Sequence, residues 1–301
     1  MPSTIKSPFH VILFATDLSD HSAAALRYAA SVATAYGAKL FLVHVLDPDI
    51  TPTDSSPSDL RNLAQSAMSE LKGICQSLLA THGITAQAIV RYGNVRDVIF
   101  QVQQECSADI VVLGSSGKKI SRGNTLGSTA EAVLRSMPCN VLTIGPHIEW
   151  HPFSTKAQAI LFPTDLSADS LAALPTAVSM ATSLSARLLL LHVCDPYELH
   201  SCFGGEVDCK KKLREVAAST ETQELRVEYS AEEGRIAERT LSFAKEKHVD
   251  LIVMAIHQGN LDDGTRLHGI VSDIVRESQC PVFTVARHVD ASLAPPQGTS
   301  K

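Results

Sequence analysis

The sequence predicts an α/β protein of two tandem domains, each a parallel sheet covered by helices on both faces. Three observations carry this prediction. Short apolar runs alternate with stretches of helical periodicity, the signature of parallel strands joined by crossover helices. The pattern then starts again: FATDLS at Phe14–Ser19 recurs as FPTDLS at Phe162–Ser167, an offset of 148, and His44-Val45 recurs as His192-Val193 at the same offset. Finally, 301 residues exceed one average domain and are comfortable for two.

The elements follow in order. Phe9–Ala15 is an apolar strand that ends in Thr16-Asp17-Leu18-Ser19, after which small and apolar residues recur at helical spacing through Tyr36. Lys39–Val45 reads as a second buried strand. Asp47–Asp59, with three prolines among Asp, Ser and Thr, reads as a loop. A helix is expected over Leu60–Thr81, stopping near Gly83, then a strand over Ile84–Arg91 and a helix over Asn94–Glu105. The strand Asp109–Leu113 leads into the glycine-rich stretch GSSGKKISRGNTLGST, Gly114–Thr129. A helix over Gly127–Ser136 and a strand over Asn140–Ile144 close the half.

Near the end of the repeat the register changes. ADIVVLG from Ala108 aligns with VDLIVMA from Val249, and Cys139 with Cys280, both at an offset of 141, so the second copy is shorter before that point. The domains are placed at residues 1–147 and 155–290, with the boundary in Gly145–Lys156 around Pro146, Pro152 and the single tryptophan, Trp150. Pro175 lies about two turns into the first helix of the second half and should kink it or shift its start. The tail after Asp290 reads as disordered.

Composition narrows the function. A net charge of −6 and 45% hydrophobic residues offer no generic nucleic-acid surface and no long disordered segment. No apolar run approaches the roughly 20 residues needed to span a bilayer, and MPSTIKSPFH lacks the regions of a signal peptide. A soluble, cytoplasmic protein is expected, with neither nucleic acid nor membrane as partner. Seven cysteines without a secretion signal read as reduced thiols.

The stretch Gly114–Thr129 has the makings of a phosphate cradle. A buried strand that feeds glycines and hydroxyls into a helix start leaves backbone N–H groups and the positive end of the helix dipole facing an anion. Lys118, Lys119 and Arg122 add positive charge, and Ser128 and Thr129 add hydroxyl donors. The Walker spacing, the dinucleotide fingerprint and the hydrolase elbow are all missing.

The TDLS turns, the His-Val strand ends and the spacing Gly114, Gly117, Gly127-Ser128 together resemble a tandem universal stress protein. That resemblance covers nearly the whole chain. It implies two doubly wound five-stranded parallel sheets of order 3-2-1-4-5, with an adenine nucleotide at the carboxyl ends of strands 1 and 4, where the order reverses. Carried over residue by residue, Asp17 with the backbone of Ala15 and Thr16 would contact adenosine or a metal-bridged phosphate. The backbone of Val45 would read the adenine edge, and Leu113, Gly114, Gly117, Gly127, Ser128 and Thr129 would hold the phosphates. His44, on an apolar strand, reads as a satisfied core residue. No catalytic residue and no protein-held metal are assigned.

The resemblance further implies ATP, with Mg2+ as its companion ion, and an internal pseudo-dimer in which Asn140–Ile144 and Val282–Ala286 pair. It implies a stress or signalling role with an unnamed protein partner, and leaves a homodimer open. A weak ATPase or phosphotransfer enzyme, and an interaction scaffold without nucleotide, are the alternatives. The second half departs from the motif: at the 141 offset Ala255, Gln258 and His268 replace the three glycines, and only Gly269 remains, opposite Ser128. Lys118–Leu126 carries three cations and no acid (+3), whereas Gly259–Leu267 carries Asp262 and Asp263 against Arg266 (−1). One ATP per chain, in the first half, is therefore expected. Cys194, His200, Cys202 and Cys209 fall within 16 residues, match no common zinc spacing, and read as ordinary thiols with metal binding or oxidant sensing left open.

Overall fold

The computed structural model describes residues 9–48, 56–116, 126–151, 158–194, 205–218, 220, 225–256 and 264–286. The first half runs β1 (Val11–Thr16), α1 (Asp20–Tyr36), β2 (Lys39–Leu46), α2 (Pro57–His82), β3 (Ala86–Tyr92), α3 (Val95–Cys106), β4 (Ile110–Gly114), α4 (Ser128–Ser136) and β5 (Asn140–Ile144). The second half runs β6 (Ala159–Pro163), α5 (Ala168–Leu171), α6 (Leu174–Leu184), β7 (Arg187–Cys194), α7 (Gly205–Ala218), β8 (Val227–Glu233), α8 (Ile236–Glu246), β9 (Leu251–Ile256), α9 (Gly264–Glu277) and β10 (Val282–Ala286). Each half has the doubly wound order 3-2-1-4-5. The two halves share one ten-stranded sheet, β3-β2-β1-β4-β5-β10-β9-β6-β7-β8, parallel except where β5 meets β10 antiparallel.

That central pair has a simple register. Val282 lies opposite Thr143, Phe283 opposite Leu142 and Thr284 opposite Val141. At the repeat offset of 141, Val282, Phe283 and Thr284 are the counterparts of Val141, Leu142 and Thr143, so the pairing exchanges each residue for its repeat counterpart. A pseudo-twofold axis therefore passes between Leu142 and Phe283, and the contact is isologous within one chain. Gly145, just beyond β5, packs so closely on α9 that a Cβ there would stand 3.2 Å from the Val275 carbonyl oxygen.

Both faces of the sheet are buried, which is why its strands read as continuous apolar runs rather than alternating ones. Ile12, Phe14, Leu40, Leu42, Phe162 and Leu190 point into one core with α1, α2 and α6, while Leu13, Val43, Val111, Leu161 and Ile252 point into the other with α3, α4, α8 and α9. Two carboxylates tie the strands at their amino ends. Asp109 Oδ2 accepts from the backbone N–H of His10 and Val11 at 2.6 and 2.9 Å, and Asp250, its counterpart 141 residues on, accepts from Gln158 and Ala159 at 2.7 and 3.0 Å.

Two expectations change, and of the two outcomes expected at Pro175 one is observed. The loop expected over Asp47–Asp59 ends sooner, because α2 begins at Pro57: Ser56 caps Asp59 N, Asp59 returns the bond to Ser56 N, and Pro57 needs no N–H donor in the first turn. Pro175 shifts the helix start rather than kinking it; a single turn, α5, stops at Leu171 and α6 begins afresh at Leu174 with the proline in its first turn. Cys75, Cys106, Cys139, Cys209 and Cys280 carry free thiols, but Cys194 is disulfide-bonded. Which sulfurs come within bonding reach is decided by the fold and not by the number of cysteines; Cys209 on α7 lies 4.0 Å from Cys194 and stays a thiol. Cys202, like the tail after Asp290, lies outside the described residues.

The segment between the halves docks on α1. The Tyr28 hydroxyl donates to the Glu149 carbonyl oxygen at 2.9 Å and accepts from His151 N at 3.2 Å, and the Trp150 ring stands edge-on to Tyr28 at 4.8 Å. Among the described residues no helix is long and apolar enough to cross a membrane.

Candidate functional site

The order reverses in the first half between β1 and β4, which are parallel neighbours with Phe14 opposite Val112. Their carboxyl ends lie side by side, and that of β2 adjoins β1 with His44 opposite Thr16. Ala15, Thr16, Asp17, Val45, Leu113 and Gly114 therefore share one edge of the sheet. The chain returns there after the loop: Gly127 N donates to the Ser115 carbonyl oxygen and Ser115 N to that of Ile144, both at 2.8 Å. This closes the ends of the loop and sets Ser128 and Thr129 at the start of α4. Gly117, Lys118, Lys119 and Arg122 lie outside the described residues.

The loop ends explain two glycines differently. A Cβ at Gly127 would sit 3.1 Å from the Ser115 carbonyl oxygen, tighter than ordinary contact, so part of the demand for glycine is internal to the loop. At Gly114 the nearest atom would be the Ser116 oxygen at 3.4 Å, which a small side chain tolerates. Gly127 is also the N-cap of α4 and offers no side-chain oxygen, so the first-turn N–H groups keep their donor capacity for an outside acceptor. Ser128 is exposed and Thr129 half-buried, placing their hydroxyls beside those donors. The arrangement can cradle an anion with backbone N–H groups, hydroxyls and the positive end of a helix dipole.

The TDLS turn is a structural device first. Thr16 Oγ1 accepts from Leu18 N at 3.0 Å and pairs with Ser22 Oγ at 2.8 Å, while Asp17 Oδ1 accepts from Ser19 N at 3.1 Å and Ser19 in turn caps α1. Leu18 takes a left-handed φ of 58°, which this bonding holds. The second half repeats the turn: Thr164 bonds Leu166 N and Ser170 Oγ, Asp165 bonds Ser167 N, and Leu166 has φ 65°. Asp17 thus holds the turn whether or not it also meets a ligand.

His44 is satisfied, as its strand position suggested. A carbonyl oxygen only accepts, so the 2.9 Å contact from His44 Nδ1 to the Thr16 oxygen places the proton on Nδ1. His192 makes the same cross-strand bond to Thr164 at 2.8 Å. Sequence reasoning passed over Ser115, buried at 3% exposure, whose backbone closes the loop. Its signal was the contrast with the repeat, where Ile256 stands at the same offset.

In the second half, α9 begins at Gly264, five residues before Gly269, the counterpart of Ser128. Gly269 therefore lies inside a helix, where its N–H is used by the helix itself, and a Cβ there would meet nothing within 4 Å. A separate cavity of about 570 Å3 lies between the interdomain segment and the second half, lined by Tyr28, Glu149, His151, Lys245, Asp250 and Ser278 among others. None of the described site residues lines it.

The fold and this edge define a duplicated doubly wound α/β protein with a glycine-capped helix start at the switch point of one copy. The chain belongs to the universal stress protein family, whose profile matches residues 8–145 and again 156–286. Universal stress protein G of Salmonella typhimurium is 32% identical over 148 residues, covering 48% of this chain and 99% of that protein. A universal stress protein of Thermus aquaticus is 28% identical over 137 residues, 45% of this chain and 98% of its own. Each relative is thus about as long as one half. Among solved structures, a universal stress protein from Archaeoglobus fulgidus superposes over 94% of this chain and 97% of its own with a TM-score of 0.72 and 20% identity, a likeness of fold.

Proposed function

We propose that the chain binds one ATP, with Mg2+ as companion ion, at the switch point of its first domain, and serves as a nucleotide-responsive stress or signalling factor. The observation that carries this reading is the internal contrast between the two copies. In the first, a glycine N-cap without a side-chain oxygen opens α4 at the carboxyl edge; in the second, the helix starts five residues earlier and its counterpart residue is interior. The donor set of the first copy fits a polyphosphate: the backbone of Leu113 and Gly114, then Gly127, Ser128 and Thr129. Asp17 and Val45 lie on the same edge for the nucleoside. The charge difference of the two loops, +3 against −1, favours the same copy.

Binding becomes a signal when the nucleotide favours one arrangement of the chain over another. A cytoplasmic location, a protein partner and a homodimer belong to the same reading. Titration calorimetry of the full chain with Mg-ATP tests it. One site per chain is expected, lost in Gly127→Val and kept in Gly269→Val. Two equivalent sites would overturn the assignment to one domain, and absence of binding would favour the nucleotide-free scaffold. A turnover assay on wild type beside Asp17→Ala separates a binder from a slow ATPase.

A further inference from the structure

Outside the candidate nucleotide site, one cluster in the described residues brings metal-ligating side chains together under burial. His192 and Cys194 stand at the carboxyl end of β7, and Cys209 faces them from α7. Their ligand atoms all lie within 4.8 Å of one another, the two sulfurs are 4.0 Å apart, and the three residues are only 4%, 6% and 4% exposed. We propose that His192, Cys194 and Cys209 form a buried binding site for a thiophilic divalent cation of the zinc class, open when Cys194 is reduced.

The spacing suits the cation. Two thiolates at about 2.3 Å from a tetrahedral zinc stand about 3.8 Å apart, so the sulfur pair needs a shift of only roughly 0.2 Å, while the histidine nitrogen, within 4.8 Å of the sulfurs, would close in further on binding. The histidine is already oriented for the task. Its Nδ1–H is held by the Thr164 carbonyl oxygen at 2.8 Å, which in the neutral ring puts the lone pair on Nε2, the arrangement in which metal-bound imidazoles are usually held. Three protein ligands leave one position for water or a fourth donor. Two sulfurs and an imidazole select zinc, cobalt or cadmium over magnesium or calcium.

The bland alternative is that the histidine bracket and some buried sulfur are ordinary packing. The first half argues otherwise. It keeps the bracket at His44 and Thr16 with Leu46 where Cys194 stands at the 148 offset, so the bracket does not need sulfur. Val193, the counterpart of Val45, lies between the histidine and the cysteine. The cluster therefore occupies the second-half equivalent of the edge where the first half would read a nucleoside.

The disulfide at Cys194 makes the site redox-dependent. A dithiol reductant supplies two electrons, cleaves the Cys194 S–S bond to give two cysteine thiols, and ends as its own cyclic disulfide. The cation then displaces the protons of Cys194 and Cys209 to solvent and binds both thiolates.

Cobalt titration of the full-length protein tests this. In the reduced protein we expect thiolate-to-cobalt absorption bands that saturate at one cobalt per chain and vanish on adding zinc; in the disulfide form we expect none. Cys209→Ser and His192→Gln should each weaken zinc binding by about tenfold or more, with Cys75→Ser unchanged. If Cys209→Ser does not fold, alkylation of reduced wild type reads the same point: zinc should protect Cys209 and leave Cys75 reactive. No bands in reduced wild type, full affinity in folded Cys209→Ser, or no zinc protection of Cys209 would each overturn the site.

Discussion

Thr143 and Thr284 are repeat counterparts on the two strands that join the halves, and both side chains are fully buried. Their hydroxyls differ. Thr284 Oγ1 donates to the Val141 carbonyl oxygen at 3.2 Å, whereas Thr143 Oγ1 has no hydrogen-bond partner among the described residues. Replacing each by valine keeps the shape and removes only the hydroxyl. A buried hydroxyl without a partner costs about 1–3 kcal/mol, so Thr143→Val should stabilise the protein by about 1 kcal/mol. Thr284→Val gives up a hydrogen bond worth about 1 kcal/mol and recovers part of it as apolar contact, so it should be destabilising by less than about 1 kcal/mol. Urea unfolding with a common m-value reads both, and the midpoints should move in opposite directions. Two shifts of the same sign would refute the assignment of hydroxyl bonding across the pseudo-twofold axis.

Three more outcomes follow from the same structure. Gly269→Ala should raise stability by about 0.5–1 kcal/mol, since it replaces glycine inside α9 with open space around the new methyl, whereas Gly127→Ala should lower it by forcing Ser115 away; thermal unfolding compares them directly. Asp109→Ala removes two backbone N–H partners and should cost about 2 kcal/mol, with a similar loss for Asp250→Ala at the repeat position. Burial pushes the Cys139 and Cys280 thiols from 9.0 up to about 12, so the folded protein keeps protons that the unfolded chain releases. The sign is therefore a stability present below pH 9 and lost between pH 9 and about 12, at about 1.4 kcal/mol per pH unit per thiol. Cys139→Ala should flatten that slope in alkaline unfolding curves.

Much of the first half could be read directly. The strands β2, β4 and β5 fall within a residue of expectation because apolar runs, glycine stops and caps are local signals; Asn94 caps α3 and Gly83 ends α2 in the left-handed conformation where the sequence placed them. The misses are also local in origin. Three prolines suggested a loop through Asp59, but one of them, preceded by a capping serine, starts a helix instead of preventing it. For the site, the residues on strand ends come together because strand order in a doubly wound sheet follows from connectivity. Ser115 was missed because its backbone makes the bonds that close the loop, and residue type marks it only through the contrast with Ile256 in the repeat.

What the sequence determined by itself is the alternation of strands and helices, the duplication, and the difference in glycine and charge between the two loops, all properties of neighbours along the chain. Tertiary structure alone decided how the copies meet. The register of β5 against β10, the carboxylate ties from Asp109 and Asp250, the docking of Trp150 on Tyr28 and the convergence of Cys194 on Cys209 each join groups brought together by packing. Periodicity reports which face of a segment is apolar; it does not report what lies against that face. The loop Gly114–Thr129 lies between these two kinds of information: its composition marks it as a cradle, and the earlier start of α9 in its twin, a fact of packing, accounts for why only one copy keeps a helix start open at that edge.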